Sequence, residues 1–239
     1  MNEQPARSYK YFDLIMALFV AVLLISNIAS SAKIVDWGVG IFGVPLAFDA
    51  GTLLFPISYI FGDILTEVYG YQRSRRVIWA GFFSLVLAAL FFYIISILPG
   101  ESTWQEYAGD DAYQAILGGI SSGGIVIASL AAYWLGEFSN SYVLAKMKIA
   151  TNGRWLWTRT IGSTLIGELV DTLAFVVVAS AFGVFPWSLF LMLIVTNYLF
   201  KVAIEIGMTP FTYLAVGALK RAENEDYYDR DTNFNPFAS

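Results

Sequence analysis

Six long apolar segments constrain this chain more than any other feature of its sequence. A helix needs roughly 20 apolar residues to cross the hydrocarbon core of a bilayer. The chain is 57% hydrophobic and 14% charged, with a mean hydropathy of +0.62, whereas soluble domains carry roughly 25% charged residues. The sequence therefore predicts an all-α integral membrane protein, a bundle of six transmembrane helices over residues 11–34, 45–68, 77–98, 115–138, 160–182 and 186–216.

Lysine and arginine residues occur in alternate connections, and this alternation predicts the orientation. They lie before the first segment, between the second and third, between the fourth and fifth, and after the sixth. Because cytoplasmic loops carry the excess of Lys and Arg, both termini are expected to be cytoplasmic. Residues 1–221 then form one transmembrane domain, and the acidic residues 222–239 are expected to form a disordered cytoplasmic tail.

The absence of cysteine and histidine from the sequence excludes several classes of site. A disulfide framework, a thiolate site, a His-ligated metal and a Ser–His or Cys–His pair all require one of these residues. A Ser163–Lys201 pair in an intramembrane protease is the one enzymatic alternative. No basic stripe of the kind that binds nucleic acid occurs either. We therefore expect no enzyme, no cofactor, no metal and no nucleic-acid partner.

Polar side chains interrupt five of the six apolar segments. A charge at mid-membrane costs about 2.5–3.5 kcal/mol on insertion scales, so such residues face one another or a watery cavity. The third segment contributes almost none, which predicts a central polar cavity lined by the other five. The polar residues are Asn27, Asp63, Glu67, Trp134, Glu137, Arg159, Ser163, Glu168, Asp171, Asn197, Lys201 and Glu205.

Structural roles remain open for two of these pairs. Asp63 and Glu67 lie one turn apart on one helical face and could cap their segment beside the basic residues that follow it. Lys201 and Glu205 have the i, i+4 spacing of an ion pair along a single helix. Neither pair by itself therefore indicates a binding site.

A short internal repeat links the second and fifth segments. Residues 62–67 read Gly-Asp-Ile-Leu-Thr-Glu, and residues 167–172 read Gly-Glu-Leu-Val-Asp-Thr. With three segments in each half, the two halves would run in opposite directions. Such 3+3 inverted repeats, with polar sites at their interface, are common in transporters.

The two motifs together resemble the queuosine precursor transporter family, also called the vitamin uptake transporter family. The resemblance rests on Phe55-Pro56 with residues 62–70 and on residues 159–172, and it covers nearly the whole chain except the tail after Arg221. It implies a multi-pass protein of the bacterial inner membrane that takes up 7-deazaguanine bases without a dedicated ATPase. It also implies a six-helix layout similar to the substrate-binding subunits of energy-coupling-factor transporters, and such a subunit is the alternative function. A homodimer is compatible with either.

A purine-like base sets clear chemical requirements for its site. A guanine-like edge has two adjacent donors that one carboxylate can accept together, while the neighbouring carbonyl needs a donor. The flat ring needs an aromatic or apolar surface on which to stack. We expect Glu168 foremost, or Asp171, to read the edge, with Asn27, Asn197 or Lys201 as donor, Ser163 nearby and Trp134, Phe61 or Phe175 stacking on the ring. Asp63, Glu67 and Arg159 are the expected cytoplasmic gate, and Glu137 and Glu205 complete the set expected for gating or ion coupling.

Overall fold

The computed structural model of the protein describes residues 8–41, 44–121 and 123–238. Its elements in chain order are α1 (Phe12–Ala32), β1 (Ile34–Ile41), β2 (Val44–Asp49), α2 (Phe55–Ile64), α3 (Tyr71–Ile97), α4 (Ser102–Tyr107), α5 (Gly109–Ser121), α6 (Gly123–Ala150), α7 (Leu156–Ala181) and α8 (Phe190–Glu223). A 3-10 turn, Ala50–Leu53, precedes α2, and a π-helical turn, Leu65–Tyr69, follows it. A second 3-10 turn, Trp187–Leu189, leads into α8.

Within the described ranges, five helical segments are long and apolar enough to cross a membrane. They are Phe12–Ala32, Tyr71–Ile97, Gly109–Ala150, Leu156–Ala181 and Trp187–Glu223. The prediction of an all-α membrane protein is thus confirmed, apart from one hairpin. The predicted fourth segment is longer than expected, because the helix continues past Phe138 to Ala150 and carries its lysines on the last turns.

The predicted second segment, 45–68, is not one continuous helix. Its first residues form β2, which pairs antiparallel with β1, so Asp49 ends a strand. Helix α2 begins only at Phe55 and has Pro56 in its first turn, where the missing proline N–H would have no helical partner in any case. A short apolar run fits a strand as well as a helix, which is why periodicity placed this boundary incorrectly.

The exposed and buried faces of the helices are those of a protein in lipid. Large apolar side chains such as Phe83, Leu87 and Leu214 are mostly exposed, whereas Glu67, Glu168 and other charged side chains are almost fully buried. This distribution is the reverse of that in a soluble protein. The apolar faces therefore meet the lipid, and the polar groups face the bundle interior.

Helix α7 packs between α6 and α8, and α2 contacts α1, α6 and α8. Two glycines allow α6 and α7 to come unusually close. A Cβ on Gly136 would lie 2.7 Å from the Asp171 Cβ, and one on Gly167 would lie 2.7 Å from the Asn140 Cβ. Small residues allow membrane helices to approach in this way. The polar residues next to these glycines are consequently brought together inside the bundle.

The start of α1 and the end of α8 lie side by side. The backbone N–H groups of Lys10 and Tyr11 donate to the Glu223 carboxylate at 2.9 and 2.7 Å. The Tyr69 hydroxyl, at the end of the π-helical turn, donates to the same carboxylate at 2.9 Å. The first residues of α1 and the last residues of α8 are therefore on the same side of the molecule.

The acidic tail differs from the sequence-based expectation of disorder. Residues 225–238 fold back over the first turns of α3, where the Tyr71 N–H donates to the Asp229 carboxylate at 3.1 Å. The Arg75 guanidinium donates to the Asn233 carbonyl at 3.1 Å. The composition of the tail is typical of a disordered segment, but the basic residues and free N–H groups at the start of α3 bind its carboxylates and carbonyls.

Candidate functional site

Five carboxylates from four helical segments form what we call the acidic cluster: Asp63, Glu137, Glu168, Asp171 and Glu205. Glu137, Glu168 and Glu205 each lie near the middle of α6, α7 and α8, respectively. All five are buried, with exposed fractions between 0 and 9%. The close α6–α7 contact at Gly136 and Gly167 explains why acids on different helices meet.

Lys201 of α8 is the cation that contacts this cluster. Its ammonium donates to the Asp171 carboxylate and lies 3.1 Å from Glu168 Oε2. The Lys201 side chain is 26% exposed and that of Asp171 is 12% exposed, against 1% for Glu168. Access to the cluster is therefore greatest at Lys201 and Asp171, between α7 and α8. The alternative of a Lys201–Glu205 pair along one helix is not what the structure has.

The other half of the acidic cluster has no such cation within the ranges that the structure describes. Asn140 donates to Asp63 Oδ1 at 2.9 Å. Among the described residues, no donor reaches Asp63 Oδ2, Glu137 Oε2, Glu205 Oε2 or the Asn140 side-chain oxygen. Buried polar atoms are rarely left without a partner, and each such atom requires an explanation.

Tyr59 of α2 belongs to the same site. Its hydroxyl is beside the Glu168 carboxylate and interacts electrostatically with Asp171 and Glu137. The tyrosine is one turn before Asp63, on the same face of α2. It adds a ring and a hydroxyl donor to a cluster that otherwise consists of acids and one lysine.

A second set of charges lies at the end of the bundle where both chain ends meet, and we call it the Glu67 network: Glu67, Lys148, Arg159, Lys220 and Asp226. The Arg159 guanidinium donates two hydrogen bonds to the Glu67 carboxylate, from Nε to Oε2 at 2.8 Å and from Nη2 to Oε1 at 2.7 Å. The Lys220 ammonium is 2.5 Å from Glu67 Oε1. The Lys148 ammonium donates to the Glu67 backbone carbonyl at 2.5 Å. The network therefore joins the end of the π-helical turn to α6, α7 and α8.

The tail completes this network through Asp226. Its Oδ1 lies 2.6 Å from the Lys148 ammonium and 2.7 Å from that of Lys220. Burial raises the pKa of Asp226, but the hydrogen bonds from Lys148 and Lys220 outweigh it and hold the pKa below its ordinary value. Burial raises the pKa of Asp229 further along the tail, partly offset by the Tyr71 N–H. Asp226 is thus a permanent anion that bridges two helices.

The remaining predicted residues lie elsewhere or have local partners. Asn27 donates to the Leu23 carbonyl at 2.8 Å, and Ser163 donates to the Thr160 carbonyl at 3.0 Å. Asn197 is exposed. Trp134 packs among aromatic rings at the α3 side of α6, with its centroid 4.9 Å from that of Phe138.

Phe61 packs against the apolar core and Phe175 against Phe185, with centroids 6.0 Å apart. The predicted stacking residues are therefore outside the acidic cluster. Tyr59 is the ring that the structure has there instead, and its position one turn before Asp63 is the sequence signal that could have identified it.

In the described part of the chain, no group of three or more acidic side chains is arranged to hold a metal ion. A pocket of about 290 Å³ lies instead between the start of α3 and the tail, where Gln72, Arg75 and Tyr227 line it. Lys201 contacts Glu168 and Asp171 directly, so ion pairs hold this part of the cluster together.

The chain is similar in sequence to a protein family and to curated bacterial proteins. The family model described as "Putative vitamin uptake transporter" matches residues 49–215. A Bacillus subtilis (strain 168) protein named "Probable queuosine precursor transporter" is 28% identical over 201 residues, 84% of this chain and 83% of that protein. The Escherichia coli (strain K12) "Queuosine precursor transporter" is 29% identical over 184 residues, 75% of this chain and 76% of that protein. No solved structure matches the chain significantly.

Proposed function

Because the chain belongs to the vitamin uptake transporter family, we propose that it imports a queuosine precursor across the bacterial inner membrane. The substrate is 7-cyano-7-deazaguanine, 7-aminomethyl-7-deazaguanine or a related base, moved by facilitated or ion-coupled alternating access. The names of the bacterial relatives support this substrate class. The observation that carries the proposal is the contact of Lys201 with Glu168 and Asp171 at mid-membrane.

The Lys201 contacts suggest how a guanine-like base would bind. Without a base, the ammonium and the two carboxylates satisfy one another. The two adjacent donors of the base edge would replace the lysine on Glu168, and Lys201 would then donate to the neighbouring base carbonyl. The Tyr59 ring would lie beside the base. Glu168 and Lys201 would each exchange one partner for another, while Asp171 would lose its contact with the ammonium.

Six membrane crossings, with both termini cytoplasmic, are part of the proposal. Chain ends on the same side require an even number of crossings, whereas five segments are long enough to span alone. Residues 50–69, a nearly continuous helical stretch, would extend about 30 Å at 1.5 Å per residue. We assign the second crossing to this stretch. The basic residues of the Glu67 network lie at the same end, in accord with the positive-inside rule.

The inverted repeat is also retained as a proposal. Gly62 and Gly167 begin the two echoing motifs, and both lie against one short stretch of α6. A Cβ on Gly62 would lie 3.0 Å from Glu137 Oε2, and one on Gly167 would lie 2.7 Å from the Asn140 Cβ. This common partner supports equivalent places for the two motifs on either side of the acidic cluster.

The Glu67 network would act as the cytoplasmic gate. It ties the second crossing to α6, α7 and α8 and closes that end below the acidic cluster. Inward release of the base would require these pairs to separate. We expect transport without a dedicated ATPase, from a monomer or a homodimer, and co-purification of an ATPase would favour the energy-coupling-factor alternative.

Glu168→Gln in purified protein tests the proposed site. The change keeps the size of the side chain but replaces a two-oxygen acceptor with an amide. We expect base affinity to fall roughly ten- to 150-fold, which corresponds to about 1.5–3 kcal/mol for a hydrogen bond to a charged group. Thermal shift with 7-cyano-7-deazaguanine measures this loss, because a ligand of the folded state stabilises it.

Glu106→Gln is the matched control, since Glu106 is an exposed acid in the α4 region. It should bind the base like the unmodified protein. Normal binding and uptake by Glu168→Gln would remove Glu168 from the site. Absence of any thermal shift with deazaguanines in the unmodified protein would contradict the proposed substrate class.

A further inference from the structure

In the part of the chain that the structure describes, three carboxylates of the acidic cluster have no cation against them. Asp63, Glu137 and Glu205 are exposed by 0, 4 and 3%, respectively, whereas Lys201 is engaged with Glu168 and Asp171. Within the described residues, Arg159, Lys148 and Lys220 are committed to the Glu67 network. Burial of three ionised carboxylates without counter-charge is prohibitively costly, so such groups take up a neutralising partner.

The three carboxylates also repel one another and their neighbours. Glu205 interacts unfavourably with Asp63, Glu137 and Glu168, and Glu137 with Asp63, Asp171 and Glu168. The groups that face them from the surrounding elements are Tyr59 of α2, Glu67 of the π-helical turn, Tyr133 and Asn140 of α6, Glu168 and Asp171 of α7, and Lys201 of α8, through its contacts with the last two. Only one of these facing groups is a cation.

The geometry points to small neutralising partners. Glu137 Oε2 lies directly against α2, 3.0 Å from where a Cβ on Gly62 would be, so little room separates Glu137 from Asp63. The unpartnered oxygens are Asp63 Oδ2, Glu137 Oε2 and Glu205 Oε2, with the Asn140 oxygen beside them. These are acceptors without donors, which a proton on one carboxylate turns into a donor–acceptor pair. The described acids are not arranged as metal ligands.

We propose that Asp63, Glu137 and Glu205 form a proton-binding site, and that the protein is a proton-coupled importer of its base. The inference rests on the proposed function and specifies its driving force. A proton from the outside water bonds to a carboxylate oxygen of this site, travels with the bundle as it changes conformation and is released to the cytoplasm. No other bond forms or breaks.

Coupling to the base follows from the shared cluster. When the base edge occupies Glu168, Lys201 turns from the carboxylates towards the base, and the cluster loses part of its positive compensation. Proton binding at Glu137 or Glu205 neutralises one of the carboxylates and so compensates for the displaced lysine charge. A base and a proton therefore favour each other's binding, which is the thermodynamic requirement for symport.

This coupling can be tested with purified protein reconstituted into liposomes, by measuring the uptake of radiolabelled 7-cyano-7-deazaguanine, a neutral base. We expect an imposed difference of one pH unit, acid outside, to drive about tenfold accumulation if one proton accompanies each base. A pH-sensitive dye inside the vesicles should report acidification when the base is added outside, and this measurement needs no variant. A sodium gradient at equal pH should drive no accumulation.

Glu205→Gln imitates a permanently protonated side chain. We expect it to exchange labelled for unlabelled base across the membrane but to lose accumulation driven by the pH difference. Glu137→Gln should behave in the same way, and Glu106→Gln should keep both activities.

The outcomes separate this inference from the proposed function. Base exchange without pH-driven accumulation or dye response in the unmodified protein would overturn proton coupling and leave the transporter intact. Accumulation driven by sodium alone, or pH-driven accumulation in Glu205→Gln and Glu137→Gln, would also overturn it. Failure of the unmodified protein to exchange any deazaguanine would refute the proposed function itself.

Discussion

Glu67→Gln should destabilise the protein more than any other exchange of an acid for its amide at the end of the bundle that carries the Glu67 network. The Glu67 carboxylate is fully buried. It accepts two hydrogen bonds from the Arg159 guanidinium at 2.8 and 2.7 Å and lies 2.5 Å from the Lys220 ammonium. The glutamine amide keeps one acceptor oxygen but places an NH2 donor against these cations. Arg159, itself 1% exposed, would then be left buried without its anion.

The size of the effect follows from the geometry. Removal of one partner from a buried ion pair costs about 3–5 kcal/mol. Asp226 still neutralises Lys148 and Lys220 in the variant, so we expect the lower value, about 3 kcal/mol. At roughly 2–4 °C per kcal/mol for a chain of this size, Tm in detergent should fall by about 6–12 °C.

Two companion variants make the measurement specific. Arg159→Lys keeps the charge but not the bidentate contact, so its loss of stability should be intermediate, about 1–2 kcal/mol. Glu106→Gln at an exposed position should change stability by less than about 0.5 kcal/mol. High salt should reduce the Tm difference between Glu67→Gln and the unmodified protein only slightly, because buried ion pairs are poorly screened. A Tm for Glu67→Gln equal to that of Glu106→Gln would refute the reasoning.

Further predictions concern the interior, the helix contact and the tail. Lys201→Met should fold but lose base binding by at least about tenfold, and unchanged binding in a thermal-shift assay would exclude the lysine as a ligand. Gly167→Val should force α6 and α7 apart at Asn140, so monodisperse protein on gel filtration would contradict that contact. Asp226→Asn should lower Tm equally from pH 5 to 8. The depressed pKa of Asp226 keeps its stabilisation complete above its unfolded value of 3.8 and loses it only as the pH falls towards the folded value. A Tm difference that vanished at pH 6 would disprove this assignment.

Much of the bundle was predictable because lipid imposes one simple rule on length and hydropathy. The segments that became α1, α3 and α7 were located by that rule alone, with the largest difference at the start of α3, which begins at Tyr71 rather than at residue 77. The segment 45–68 was not, since strand pairing between β1 and β2 depends on a partner segment that hydropathy does not reveal. The π-helical turn that carries Glu67 was likewise invisible, because it differs from an α-helix only in its hydrogen-bond register.

For the site, the sequence predicted that these acids are buried in the bundle but did not predict all of their partners. Glu168, Asp171 and Lys201 meet, and Glu67 meets Arg159, as residues buried in an apolar bundle must. Trp134 was predicted to stack on the base because a flat ring needs an aromatic surface, and in the structure it lies on the face of α6 that packs against α3. Lys148 was interpreted only as an orientation signal, although its ammonium is buried against Glu67.

The position of Asp226 in chain order has a consequence for biogenesis. Residues 225–238 follow the described spanning helices in the chain, so the contacts of Asp226 with Lys148 and Lys220 form only after those helices have been synthesised. A nascent chain that ends at α8 contains the described helices but not the Asp226 carboxylate. In such a chain Lys148 of α6 and Lys220 of α8 would keep their contacts with Glu67 and lack the second anion that bridges them in the longer chain.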